Sequence, residues 1–176
     1  MIEIRLLTEQ DEQALALPNE AFSLFGRLQV RYDETGWQAK EERYAPEDVG
    51  QQTFPEEHYV MADVLKQGFA VGAFDGETCV GLGIFTDDWL KYMYLADLKV
   101  AGAYRGQGIA EQLLHFALKA AQEKGYAGLW TIGQDNNLGA CRFYLKTGFV
   151  IGGLNTRSYT HTQQEGKADV YFYWEG

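Results

Sequence analysis

Between Tyr92 and Lys124 the chain reads as a long strand, a glycine-rich loop and a helix, in that order. Tyr92 to Val100 is rich in aromatic and aliphatic residues. From Ile109 to Lys124 the apolar positions Ile109, Leu113, Phe116, Ala117 and Ala120 recur at helical spacing, and Gly125 ends the run. The loop between them carries Arg105-Gly106-Gln107-Gly108. A helix that starts directly after glycines presents unpaired N–H groups with partial positive charge, and glycines let the backbone approach a ligand closely; both favour phosphate. The Arg105 guanidinium adds a charge-assisted donor. Such a loop also serves simply to start a helix, and on this segment alone both readings stand. Two familiar phosphate loops do not fit. A P-loop needs Lys followed by Ser or Thr after its last glycine, where Ala110-Glu111 stands here, and a dinucleotide fingerprint follows an early strand.

The flanking sequence predicts a mixed α/β chain. Ile2 to Leu7 alternates like a strand, and Thr8 with Asp11 and Glu12 marks the start of a helix that ends near Pro18. Arg27 to Tyr44 predicts two strands around a turn at Glu34-Thr35-Gly36, and Pro46 to Pro55 shows no regular pattern. The apolar runs Phe69 to Phe74 and Cys79 to Phe85 flank Asp75-Gly76, which predicts a hairpin. A strand at Gly128 to Ile132, a helix from about Asn137 to Thr147, and extended segments near Phe149 and at Val170 to Trp174 complete the pattern. At 176 residues the chain suits one domain, residues 1–176, with a single core.

The 25 acidic against 15 basic side chains, a formal charge of -10, disfavour nucleic acid and anionic membrane surfaces and favour a cationic partner. Met1 to Leu7 lacks the features of a secretory signal, and no apolar run approaches the roughly 20 residues of a membrane span. Cys79 and Cys141 show neither metal-ligand spacing nor a disulfide framework, and His58, His115 and His161 show no metal or triad spacing. A cytoplasmic setting is expected, with a homodimer left open.

Arg105-Gly-Gln-Gly-Ile-Ala110 resembles the Q/R-x-x-G-x-G/A loop of the GNAT acetyltransferases. Asn137-Leu-Gly-Ala140-Cys-Arg-Phe-Tyr144-Leu-Lys-Thr-Gly148-Phe149 resembles their second motif, N-x-x-A-x-x-x-Y-x-x-x-G-F. Within that superfamily, Gln134 to Tyr144, Gly148 to Gly153 and the aromatic run Val170 to Trp174 are similar to the streptothricin acetyltransferases. The resemblance implies a strongly twisted mixed β-sheet flanked by helices, with acetyl-CoA in a cleft between splayed central strands. It departs at two places: Ala96 stands where a glutamate often considered a general base is common, and Asn155 where an aspartate is usual.

By the same resemblance, backbone groups around Leu98, Lys99 and Val100 pair with the pantetheine arm. Arg105, Gly106, Gln107, Gly108, Ile109 and Ala110 hold the pyrophosphate, and Tyr144 protonates the departing thiolate. Asn137, Ala140 and Tyr144, three and four apart, share one helix face. Asn137 either bonds the pantetheine or caps its helix. The amine must shed a proton before it attacks, and Asp97 is the carboxylate nearest the loop's strand, although alternation sets it opposite Leu98 and Val100. Asp87, Asp88, Asp33 and Glu34 are further candidates for recognising a cation. Cys141 lies off the Tyr144 face with no histidine beside it in sequence, which argues against a covalent acetyl-enzyme. The expected activity is N-acetylation of a primary amine on a small basic molecule, streptothricin in the antibiotic-resistance reading. A polyamine, an aminoglycoside, a protein N-terminus, or a non-catalytic acyl-CoA sensor are the alternatives.

Overall fold

The computed structural model describes residues 1–176. In chain order the elements are β1 (Ile2–Leu6), a 3₁₀ helix (Glu9–Ala16), β2 (Phe22–Leu24), β3 (Gly26–Asp33), β4 (Gly36–Arg43), a 3₁₀ turn (Pro46–Asp48) and β5 (Gly50–Gln52). There follow α1 (Met61–Gln67), β6 (Gly68–Asp75), β7 (Thr78–Thr86), β8 (Tyr92–Val100), a 3₁₀ turn (Gly102–Tyr104), α2 (Ile109–Glu123), β9 (Gly128–Gln134), α3 (Leu138–Thr147), β10 (Val150–Asn155) and β11 (Asp169–Trp174). They divide into two compact units, residues 1–20, 54–129 and 175–176 in the first and residues 21–53 and 130–174 in the second.

In the first unit β1, β6, β7 and β8 lie side by side, each antiparallel to the next. The β6–β7 hairpin turns at Asp75-Gly76 as the sequence predicts, with Gly76 at φ 61°. Six successive residues of β6 and six of β7 are buried because helices cover both faces, which is why the two strands read as continuous apolar runs and not as alternation. On one face Ile109 and Leu113 of α2 press onto Gly81, where a Cβ would come within 3.1 to 3.2 Å of their methyl groups. On the other, Leu82, Ile84 and Phe74 pack with Leu15, Met61 and Val64 of the 3₁₀ helix and α1.

Two details of this unit differ from the sequence reading. The helix expected after Thr8 is 3₁₀, because Asp11 leaves helical angles at φ -98°, ψ 23°. Its carboxylate is held by the Arg5 guanidinium at 2.7 and 2.9 Å and by Thr8 N at 2.8 Å. Helix α1 has no capping side chain of its own; the Glu12 carboxylate, 49 residues earlier, accepts from Met61 N at 3.1 Å.

In the second unit β3 and β4 pair along their whole length from Gly26↔Arg43 to Asp33↔Gly36, as predicted. The stretch read as irregular does pair: β5 joins β2 over three residues, too short to carry a pattern. α3 packs on β2 and β3, and Arg142 on α3 grips Glu41 on β4 through two bonds of 2.9 and 2.8 Å. The Arg142 and Arg43 guanidiniums lie 5.2 and 5.5 Å from the Phe25 ring. β9, β11 and β10 are neighbours in that order. Val170, Phe172 and Trp174 of β11 are buried, while Tyr171 and Tyr173, on its other face, meet the Trp130 ring at 5.8 and 6.0 Å. Asp135, 4% exposed, ties this unit together by accepting from Arg27 at 2.5 Å and from Ala168 N at 3.0 Å. No helix of the chain is long and apolar enough to cross a membrane.

Candidate functional site

The glycine loop adopts the form that its sequence predicts. Gly106 and Gly108 take φ 74° and 75°, a left-handed conformation costly for any residue with a Cβ. Gly108 is the N-cap of the 15-residue α2 and no side chain caps the helix. The N–H groups of its first turn therefore have no helical carbonyl behind them. The loop is exposed while Ile109 is buried and anchors it. A Cβ built on either glycine meets nothing within 4 Å, so the backbone faces open space of the kind a phosphate would fill, and the loop fits the pyrophosphate of acetyl-CoA. Arg105 is engaged with protein atoms here: Nε donates to Val100 O at 3.2 Å and Nη2 to Glu20 at 3.1 Å.

Immediately before the loop, β8 is bulged. Ile84 pairs with Asp97 but Phe85 with Leu95, which leaves Ala96 as the extra, exposed residue. Asp97 and Lys99, two apart, project to one face and meet at 3.3 Å, with side chains 15% and 10% exposed. The Tyr59 hydroxyl donates to Asp97 at 3.0 Å. The Lys99 ammonium reaches Asn19 Oδ1 at 3.0 Å and Glu57 at 3.3 Å, and Asn19 Nδ2 donates to Glu57 at 2.7 Å. Burial raises the Asp97 carboxyl above its ordinary value and outweighs the attraction of Lys99. Burial, reinforced by the Asp97 charge, likewise raises the Tyr59 phenol. For Glu57 burial works upward, but the Asn19 hydrogen bond and the Lys99 charge prevail and its carboxyl lies below its ordinary value. Sequence reading singled out Asp97 and Lys99 but neither Glu57 nor Tyr59, which come from a segment with no periodic pattern. The one local sign there is visible only in the fold: His58 between them sits at φ 54°.

On α3 the Asn137 side chain accepts from Ala140 N at 3.2 Å and caps the helix. Tyr144 is partly exposed, and its ring is held by Phe149, Phe172 and Phe143 at centroid distances of 5.3, 5.4 and 5.6 Å. The packing expected of a core tyrosine therefore fixes a ring whose residue still reaches the surface. Cys141 is fully buried and burial, with the Asp135 charge, pushes its thiol up to about 12, which makes it a poor nucleophile. Of the other carboxylates considered for a cation, Asp87 is taken by Lys124 and the Tyr126 hydroxyl, each at 2.9 Å, and Asp33 caps its own turn through Thr35.

The model of the acetyltransferase (GNAT) family matches residues 29–149. Streptothricin acetyltransferase A of Bacillus subtilis (strain 168) is 30% identical over 159 residues, which is 90% of this chain and 91% of that protein. A Bacillus anthracis protein described as a streptothricin acetyltransferase, solved with acetyl coenzyme A, superposes with a TM-score of 0.86 at 24% identity over 100% of this chain and 99% of that one. Nourseothricin acetyltransferase gives a TM-score of 0.77 at 22% identity over 98% and 96%. The expected fold, a mixed sheet flanked by helices, is the fold that these structures share with the chain.

Proposed function

The chain belongs to the GNAT family of acetyltransferases, and from that premise we propose that it transfers the acetyl group of acetyl-CoA to a primary amine of a small basic molecule, with streptothricin as the acceptor. The observation that carries the cofactor half of this reading is the open loop at Gly106 and Gly108 on the N-terminus of α2. The acceptor half is supported by the similarity to Streptothricin acetyltransferase A and by a net charge of -10 that attracts a cationic antibiotic. The enzyme works as one acetyltransferase domain in the cytoplasm, and the family match runs through residues of both units.

Acetyl-CoA supplies an activated thioester. The chain's own residues do the rest. The N–H groups from Gly106 to Ala110 hold the pyrophosphate, and the Leu98 and Val100 backbone pairs with the pantetheine arm as an added strand would. The amine arrives largely protonated and loses one proton before attack. Asp97, whose burial raises its proton affinity, takes up that proton by way of Tyr59, whose hydroxyl donates to the same carboxylate and can accept from the amine in turn. Tyr144, its ring fixed on three sides, donates its phenolic proton to the departing thiolate sulfur, and the second proton that the nitrogen sheds as the amide forms restores the phenol. Positioning and these two proton transfers carry the rate.

The test is release of free CoA with streptothricin, spermidine, an aminoglycoside and a peptide N-terminus as acceptors. The highest kcat/KM with streptothricin, and a single acetyl group on its β-lysine arm by mass spectrometry, are the expected results. A higher kcat/KM with another amine moves the acceptor and leaves the chemistry in place. No CoA release with any amine overturns the activity.

A further inference from the structure

The first unit contains a cavity of about 290 Å³ beside the bulge of β8, walled by Glu57, Tyr59, Asp63, Thr86 and Phe85 and opened by the small side chain of Ala96. No lysine or arginine lines it. The polar side of this wall is anchored from behind by the buried cluster of Asp97, Lys99 and Asn19.

Counting donors and charges in that cluster shows what it lacks. The Lys99 ammonium has three N–H donors and faces three acceptors, Asn19, Glu57 and Asp97, at 3.0 to 3.3 Å. Its capacity is used. Glu57 and Asp97 together carry two negative charges against that one positive charge, so the cluster is left with a net charge of about -1 in a partly desolvated place. Of the two carboxylates Asp97 is the deeper. Glu57 is 29% exposed, lines the cavity, and accepts from Asn19, Lys99 and its own backbone N–H, while a carboxylate has about four acceptor sites. Asn19 holds the segment in place by donating to Pro55 O at 3.1 Å as well as to Glu57 at 2.7 Å, so the carboxylate is presented on a fixed mount. A primary ammonium in the cavity supplies both missing things, a donor and a positive charge.

We propose that Glu57 is the carboxylate that receives the acceptor's ammonium group in this cavity, positioned by Lys99 and Asn19. The inference rests on the reading of the chain as an acetyltransferase for a cationic amine, and adds where that cation is recognised and by which residue. Asp63 gives the same cavity a second negative side chain, which selects for cationic amines and against acceptors that carry a carboxylate next to the amine.

The experiment is steady-state acetylation by wild type and by Glu57→Gln, with streptothricin or, where wild type turns it over more slowly, the best amine of the panel above. Loss of a charge-assisted contact raises KM for the amine roughly 10- to 100-fold in Glu57→Gln, with KM for acetyl-CoA unchanged. Glu57→Asp recovers part of the loss, as a merely structural role would not require. Wild-type KM for the amine also rises with sodium chloride, and that dependence flattens in Glu57→Gln. An amine KM within about twofold of wild type, in a variant that keeps its stabilisation by acetyl-CoA, overturns the proposal. If Glu57→Gln fails to fold, a wild-type amine KM that ignores salt overturns it instead. Turnover of no amine by wild type removes the proposed function together with this inference, whereas normal wild-type turnover with an indifferent Glu57→Gln removes this inference alone.

Discussion

Gly108→Ala separates the structural cost of the glycine loop from its role in holding the cofactor. Gly108 sits at φ 75° and a Cβ built on it meets nothing within 4 Å, so the new methyl group clashes with no part of the chain and its cost is conformational. Placing an L-residue in that left-handed conformation costs about 1 to 2 kcal/mol. For a chain of this length that lowers Tm by about 2 to 8 °C. Acetyl-CoA at about 100 times its Kd stabilises wild type by about 2.7 kcal/mol, a rise of about 5 to 11 °C. The methyl projects into the open face of the loop where the pyrophosphate is proposed to lie, and a tenfold loss of affinity is expected. At the same ligand concentration the stabilisation then falls to about 1.4 kcal/mol, so the shift is halved. Gly125→Ala, at the opposite end of α2, is the matched control, with φ 97° and likewise nothing within 4 Å of its Cβ position. It lowers Tm without ligand and keeps the full shift with ligand. Differential scanning fluorimetry with and without acetyl-CoA reads all four quantities. An undiminished shift in Gly108→Ala refutes the assignment of the loop to the cofactor.

Tyr144→Phe lowers kcat roughly 10- to 1000-fold with KM for acetyl-CoA little changed, and an unaltered kcat returns Tyr144 to a packing role. Cys141→Ala keeps kcat within about twofold because no thiolate takes part, and native Cys141 resists alkylation at pH 8 with its thiol pushed up to about 12 by burial; loss of turnover in a folded Cys141→Ala protein points to a covalent route. Asp11→Asn removes the charge that pairs with Arg5 and weakens the bond that Thr8 N donates to residue 11, and destabilises by about 1 kcal/mol at neutral pH. The Arg5 hydrogen bond holds the folded-state Asp11 carboxyl well below its ordinary 3.8, so the stabilisation is complete above that value and is lost as pH falls below it. The Tm gap between wild type and Asp11→Asn therefore narrows as pH drops through about 4, and a gap that stays constant refutes the linkage. Streptothricin kcat/KM falls with ionic strength as the field of the acidic protein is screened, and a flat dependence removes the steering.

The parts of this protein legible in the sequence are those set within a few residues. Asp75-Gly76 between two apolar runs dictates a hairpin because a tight turn needs a residue free to take positive φ. The spacing of Ile109, Leu113 and Ala117 dictates α2 because one face of it must be buried, and the glycines ahead of it dictate a loop with exposed N–H groups. The two motifs that carry the family resemblance are of this local kind. The tertiary structure alone decided the rest, because those features depend on partners far apart in the chain. Helix α1 exists with a cap from Glu12, 49 residues away, so its own seven residues carry too little signal to announce it. The cluster behind the cavity joins Asn19, Glu57, Tyr59, Asp97 and Lys99 across separations of 38 to 80 residues. Among 25 acidic side chains nothing in the order of residues distinguishes Glu57 from its neighbour Glu56. Only the folded backbone turns Glu57 onto Lys99 and Asn19, and with that contact comes the charge left over for a cation.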